Sequence, residues 1–428
     1  MDAVGLTAQS DTLVVVGADG RPTRPALLWM DTRGAHEAAE FEAAIGRAEI
    51  HRRTGLRSAF NYTGAKAAWV RRAEAATFDG ARWLLQPKDF LCLRLTGAAV
   101  TDPSSASRTL LYDLQTQAWW PDALAAFGIP ERLVPHVEAS ASGDDRLTRA
   151  GATTLGLAAG TPVVIGAADR AAEALGLAIG GAAAMVSTGT ATGVALAFQD
   201  TIHVDDDRVT TPCHALPRER LGMLSIPTSG AIVDWLARLL GARGSNDAQS
   251  LVREASRSEP GARGVIAVPT FAGARSFRWE PRARGALIGL TLGTTDGDLA
   301  RAVLEGIAFE VAACLETLRT SVGAIDRLHL TGGGHGDPFI CQLVADVTGV
   351  ASITFGERDG ALAGAMLLAG SAIGVWTDVR AAAAARLGQR TWYEPDPGRH
   401  GTYRGLAARY EAAVAGALCA DLVDAGSP

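Results

Sequence analysis

Short apolar runs that end in glycine and give way to helical stretches constrain this 428-residue chain more than any other feature. The run 162–165 stops at Gly166-Ala167-Ala168-Asp169-Arg170, and the Gly- and Thr-rich stretch 187–193 follows soon after. Later, the run 327–330 enters Thr331-Gly332-Gly333-Gly334. Strands alternating with helices predict an α/β architecture. Glycines at such junctions let backbone approach a ligand closely, and a following helix N-terminus adds partial positive charge. One junction reads as an ordinary turn; three in one half of a chain, one of them carrying Asp169, point to a nucleotide. Neither GxxxxGK[ST] nor a strand-linked GxGxxG occurs, so the P-loop and Rossmann readings have no support. Phosphoryl transfer needs a carboxylate at the acceptor hydroxyl and positive dipoles around the moving group. Asp169 and the 187–193 stretch offer both.

The periodicities predict strands over 4–7, 13–16 and 26–29, with a hairpin turn at Ala18-Asp19-Gly20. Helices are expected over 34–50, 66–76 and 90–95, and a loop over 130–142. After Gly160-Thr161-Pro162 the chain begins again: strand 163–165, helix 171–178, strand 184–187, glycine loop. Then come strand 264–268, helix 299–318, strand 327–330, helix 339–348, strand 352–355, a small-residue helix 360–370 and a terminal helix 403–422. The restart divides the chain into a first lobe, 1–167, and a second, 168–428, whose terminal helix is free to pack back on the first.

Composition narrows the partners. A net charge of −6 and a pI near 5.8 favour neither nucleic acid nor an anionic membrane. Cys92, Cys213, Cys314, Cys341 and Cys419 are scattered without CxxC spacing, which reads as buried thiols of a reducing compartment. The N-terminus lacks the pattern of a secretory signal, and the expectation is a cytoplasmic protein.

Several residues carry two readings each. Asp169 is either a reacting carboxylate or the N-cap of helix 171–178, the usual role of Asp after a strand. Trp29 with Asp31 suits a polyol, while a core Trp and a surface Asp is the ordinary alternative; Ser10 and Asp11 share that ambiguity. Arg170 is a substrate contact or a solvated charge. The basic, aromatic stretch 275–284 reads as a loop whose cations lean toward a phosphate site or nearby carboxylates. His214 and His335 lack companions at metal-ligand spacing and read as structural; no metal ligands are assigned.

With these residues assembled, the chain resembles the FGGY family of carbohydrate kinases, nearest its xylulokinase-like branch. The resemblance runs through Gly5-Leu6-Thr7-Ala8-Gln9, Leu28-Trp29-Met30-Asp31-Thr32-Arg33, Gln86-Pro87-Lys88-Asp89-Phe90, Leu95-Thr96-Gly97 and Gly166-Ala167-Ala168-Asp169. It continues through Ser187-Thr188-Gly189-Thr190, Arg284-Gly285, Gly289-Leu290 and Gly332-Gly333-Gly334 to Ala345-Asp346-Val347. It implies an actin-like ATPase (ribonuclease H-like) fold of two lobes, with sugar in the cleft and ATP with Mg²⁺ mostly on the second lobe. It implies Asp169 as the catalytic base, Thr190, Gly230 and Gly334 around the nucleotide, and Ser10, Asp11, Trp29 and Arg170 at the sugar; the residue reading adds Gly189 and Gly333 to the nucleotide set and Asp31 to the sugar set. A homodimer is the oligomer it suggests.

The chain also departs from that pattern. The family's opening strand and Asp-x-Gly-Thr phosphate loop have no counterpart, so either the start lies upstream or the element is lost. On that reading strand 4–7 keeps an exposed edge, and poor solubility or association is expected. Ser10-Asp11 stands where xylulokinases carry Met-His, Arg170 where Asn or Gln is common, and Gly273-Ala274-Arg275 lacks a usual Glu. The expectation is an ATP-dependent sugar kinase acting on a ketopentose or related polyol. The alternative is an impaired pseudokinase or fragment that binds sugar or nucleotide without efficient turnover; an actin-like chaperone or filament role is disfavoured by segment 5–33.

Overall fold

A computed structural model describes residues 1–241, 247–280, 282–356 and 359–418. The chain opens with two strands, β1 (Val4–Ala8) and β2 (Val14–Gly17). The expected turn follows: Gly17 N–H donates to Arg21 O at 2.9 Å. The strand expected over 26–29 does not form; Leu27 makes only an isolated bridge to Leu13. Helix 34–50 is two helices, α1 (Ala35–Ile45) and α2 (Arg47–Thr54), because Gly46 sits at φ 89° and breaks the ladder.

Helix α3 (Thr63–Ala73) precedes strand β3 (Ala81–Leu85), which follows Asp79-Gly80, pairs antiparallel with β2 and was not expected from the sequence. Gln86 and Asp89 then form a reciprocal capping box that starts α4 (Pro87–Thr96). The short α5 (Pro103–Ala106) is capped by Asp102, whose carboxylate accepts from the backbone of Ser104 and Ser105. Strands β4 (Asp145–Arg146) and β5 (Pro162–Ala168) lead into α6 (Asp169–Gly176).

Strands β6 (Ala183–Thr188), β7 (Thr192–Gln199) and β8 (Glu219–Ile226) are followed by α7 (Gly230–Leu239) and the long α8 (Asp296–Ser321). Later elements include β9 (Arg327–Thr331), α9 (Pro338–Thr348), β10 (Ala351–Phe355), α10 (Gly360–Ala372), β11 (Arg390–Tyr393) and α11 (Pro397–Ala417).

The chain divides into two compact units. The first comprises residues 1–179, 197–222 and 359–387, so it is not the continuous segment 1–167; the second holds the rest. In the first, a sheet of order β1-β5-β4 places β1 parallel to β5 and at the sheet edge. Helix α10 packs on α6 and β1 through small residues. A Cβ on Gly364 would lie 1.9 Å from Ala172 O, and one on Gly5 2.4 Å from Ala365 O. The core beside α1 and α3 gathers Phe41, Ile50, Tyr62, Val70 and Phe127.

The second unit is built on a sheet of order β8-β7-β6-β9-β10-β11. Strands β6, β9 and β10 run parallel at its centre, and continuous apolar sequence suits strands buried on both faces. Helix α11 lies against α8 and α9 of its own unit, where the Tyr403 hydroxyl donates to Glu305 and the Tyr410 hydroxyl to Glu310, both at 2.8 Å. The end of the expected helix, beyond 418, lies outside the described residues, as does Cys419. Cys92, Cys314 and Cys341 are buried free thiols, and Cys213 is half-buried. Among the described residues, no helix is long and apolar enough to cross a membrane.

Candidate active site

In the first unit the site is built where β5 ends. Gly166 has φ 65°, and a Cβ there would fall 1.8 Å from Leu6 O. Only glycine fits, and the β1–β5 register shifts between Gly5 and Thr7 beside it. This irregularity delivers Asp169 as the first residue of α6, half-buried at the strand end.

The capping role weighed for Asp169 is not adopted. The cap position is Ala168, without a side-chain cap, and Asp169 Oδ1 accepts instead from the next backbone N–H, Arg170, at 2.8 Å. Burial pushes the Asp169 carboxyl above its ordinary value, and the charges of Asp11 and Glu173 add to that while Arg170 opposes it. Asp11 and Asp169 are therefore electrostatic neighbours although they are far apart in sequence.

Asp11 is constrained at every polar atom. Its backbone is left-handed, φ 64°, and its side chain is buried. Its N–H donates to Gln86 Oε1 (2.8 Å) and its carbonyl accepts from Lys66 Nζ (2.6 Å). Its carboxylate accepts from Arg108 Nε (3.1 Å) and Nη2 (2.6 Å) and from Asn61 Nδ2 (2.9 Å). A non-glycine residue held this way persists only where its surroundings over-determine it, and such residues cluster at functional sites.

Burial alone would depress the Arg108 guanidinium, but the negative charge of Asp11 and, more weakly, Asp169 holds it above its usual value. Arg108 and Lys66 were not singled out from sequence. The available signal was weak: one cation in a run of small polar residues, and one lysine among alanines.

The remaining acceptor candidates fall into two groups. Trp29 is 39% exposed between exposed Leu28 and Met30, which suits a stacking platform rather than a core tryptophan. Ser10 is half-buried next to Asp11. The other two meet internal partners: Asp31 accepts from Arg33 Nη2 at 2.6 Å, and Arg170 Nη1 donates to Glu173 at 2.8 Å. The bond from Arg33 holds the Asp31 carboxyl below its usual value.

A buried polar chain lies under this group. Gln86 Nε2 donates to Ser105 O (2.7 Å), and Ser104 Oγ, itself bonded to Asp102, accepts the Ala168 N–H at 2.9 Å. Lys88 Nζ lies 3.0 Å from Asp102 Oδ1, an ion-pair contact rather than a directed hydrogen bond.

The second unit gathers its glycines at the end of β6. No helix follows the 187–193 stretch: β6 and β7 form a tight antiparallel hairpin, with Thr188 opposite Thr192 and Gly189 N–H bonded to Ala191 O at 2.9 Å. The helix that reaches this turn is α7, from a distant part of the sequence. Its first amides brace the turn, Ser229 N–H to Thr190 O (2.9 Å) and Gly230 N–H to Gly189 O (3.0 Å). Thr192 Oγ1 bonds Thr188 Oγ1 (3.0 Å) and Ser229 Oγ (2.8 Å), leaving Gly189 and Thr190 exposed at the tip.

The third glycine stretch closes on the same place. Gly332 has φ 85°, and Cβ atoms at Gly332 and Gly334 would meet Thr188 at 2.4 and 2.6 Å. Gly333 faces open space. His335 is buried, bonded to Thr331 O and pushed down to about 4 by burial, in keeping with a structural role. Arg278 of the basic loop turns to carboxylates, Glu310 at 2.8 Å and Glu411 at 3.0 Å.

Residues 1–176 match the N-terminal domain of the FGGY family of carbohydrate kinases, and 184–373 match its C-terminal domain. The chain belongs to that family. It is 32% identical over 418 residues to a glycerol kinase of Nocardia farcinica, covering 91% of this chain and 80% of the relative. It is 31% identical over 350 residues to a xylulose kinase of Escherichia coli, covering 81% and 71%. The crystal structure of a ligand-bound xylulose kinase from Lactobacillus acidophilus superposes with a TM-score of 0.90, over 98% of this chain and 85% of that one. At 23% identity that likeness speaks to fold alone, which is the two-domain actin-like ATPase fold.

Proposed function

We propose that this carbohydrate kinase transfers the γ-phosphoryl group of ATP to a hydroxyl of a small polyol or ketose, of the size range spanned by glycerol and the ketopentoses. The observation that carries the reading is Asp169, delivered to the strand end by Gly166 and raised in pKa beside the clamped Asp11. A carboxylate with raised pKa is a better base toward a hydroxyl than a solvated one. Asp169 takes the proton of the attacking hydroxyl as the oxygen–phosphorus bond forms and the bond to the ADP oxygen breaks. Trp29 offers an apolar face to the carbon skeleton, and Ser10 and Asp11 lie where hydroxyls would be read.

For the nucleotide, the exposed Gly189–Thr190 turn and the glycines at 230, 333 and 334 leave backbone close to the triphosphate, where N–H dipoles offset developing charge. Magnesium would arrive on the triphosphate as part of the substrate. The names of relatives, glycerol kinase and xylulose kinase, support a polyol acceptor without choosing between three and five carbons. A coupled ADP-release assay across glycerol, pentitols, ketopentoses and aldonates tests the reading: acceptor-dependent release supports it, and no stimulation by any of them would refute it.

A further inference from the structure

Helix α3 presents Thr63, Gly64, Ala65, Ala67, Ala68 and Val70 to the interior, and among them one charged side chain, Lys66, which is fully buried. Lysine is almost never buried without a partner, because removing an ammonium from water is costly. Its hydrogen bonds do not go to a carboxylate. Nζ donates to two backbone carbonyls, Asp11 O and Leu28 O, each at 2.6 Å. Leu28 O also accepts from Asp31 N–H at 3.0 Å, closing the turn that exposes Trp29. One amine thus ties together two irregular segments, 10–12 and 28–31, that pack together through no strand pairing at those residues.

We propose that Lys66 is a positioning residue for acceptor recognition, fastening the strained Asp11 turn to the Trp29 turn so that carboxylate and indole keep one geometry. The inference rests on the acceptor site proposed above. Asp11 is held at φ 64° by bonds at its N–H, its carbonyl and its carboxylate, and the Lys66 bond is the one that fixes the carbonyl. Without it, the residue is free to relax toward an ordinary backbone conformation, turning the carboxylate away from Arg108. Two buried carbonyls also lose their donor, one on each segment. Asp11 and Asp31 are the charged groups that face the amine; burial nevertheless lowers it to about 8.

The test is Lys66→Met, which keeps the length and removes the donors. Acceptor affinity by calorimetry and steady-state KM values for acceptor and ATP are compared with wild type. A loss of one buried hydrogen-bond anchor on each segment predicts roughly a 10- to 100-fold rise in acceptor Kd and KM, with ATP KM unchanged. Lys66→Gln, whose amide is long enough for one carbonyl, should fall between, and it takes the place of the Met variant if that one does not fold. Unchanged acceptor affinity in a wild-type enzyme that turns over polyols overturns the inference alone. An equal rise in both KM values also overturns it, since a general structural role would do that. Polyol binding that weakens in the variant, in a wild type without turnover, upholds the inference and rejects the kinase reading. A wild type that binds no polyol overturns both.

Discussion

Burial raises the Asp169 carboxyl above its ordinary value of 3.8, with Asp11 and Glu173 pushing the same way. The fold therefore favours the protonated acid. Its linkage contribution to stability is present below the unfolded pKa and lost as pH rises through the folded one, so at neutral pH the ionised base costs stability. Asp169→Asn should accordingly lower turnover by roughly 10² to 10⁴, leave ATP affinity in place, and raise the melting temperature at pH 7. The wild-type kcat/KM should fall on its acid side above pH 3.8, because the base is lost as it protonates. An Asn variant that melts lower, or that keeps turnover, would remove Asp169 from this role. At this scale the carboxylate was legible because it follows a strand and a glycine. Its cap assignment was not, since that depends on whether Ala168 or Asp169 takes the extended conformation. Arg108 was invisible because its partner Asp11 lies 97 positions away.

Elements with strong local signals formed where the sequence placed them: β1, β2, β9, α8, α9 and the small-residue helix α10. Strands β3, β7 and β8 were missed, and the glycine stretch before β7 was taken for a loop rather than a hairpin. The close packing expected of α10 has a sharp consequence. Gly364 faces the backbone oxygen of Ala172 in α6, the helix that carries Asp169, so any side chain there must push the two helices apart. Overpacking of this kind costs about 1–3 kcal/mol, and Gly364→Val should lower the urea midpoint and reduce kcat through α6. A variant as stable as wild type would contradict the packing. Strand β1 is the edge of its sheet, and an unpaired edge is a template for association. The 428-residue chain is expected to associate as concentration rises in size-exclusion chromatography with light scattering; a monomer at every accessible concentration would count against this.

For the molecule as a whole, the units divide elsewhere than at the sequence restart near 162: β5 and α6, which follow that restart, belong to the first unit, and 359–387 returns to it. That return is set by tertiary packing: α10 buries its small-residue face on α6 and β1, an assignment no local pattern carries. The division has a functional corollary. Asp11, Trp29, Lys66, Arg108 and Asp169 all belong to the first unit, while Gly189, Thr190, Gly230 and Gly334 all belong to the second. Each set draws the bonds described above from its own unit, so defects in acceptor and nucleotide recognition should be separable. Gly334→Val, which would collide with Thr188, should raise ATP KM and leave acceptor Kd unchanged, whereas Asp11→Asn should do the reverse. If the two sets act independently in binding, the free-energy changes of the double variant should sum to within about 0.3–0.5 kcal/mol. Calorimetry of each ligand alone against the two single variants and the double variant decides it. A larger deviation would mean that the acceptor and nucleotide residues are energetically coupled before both ligands are present.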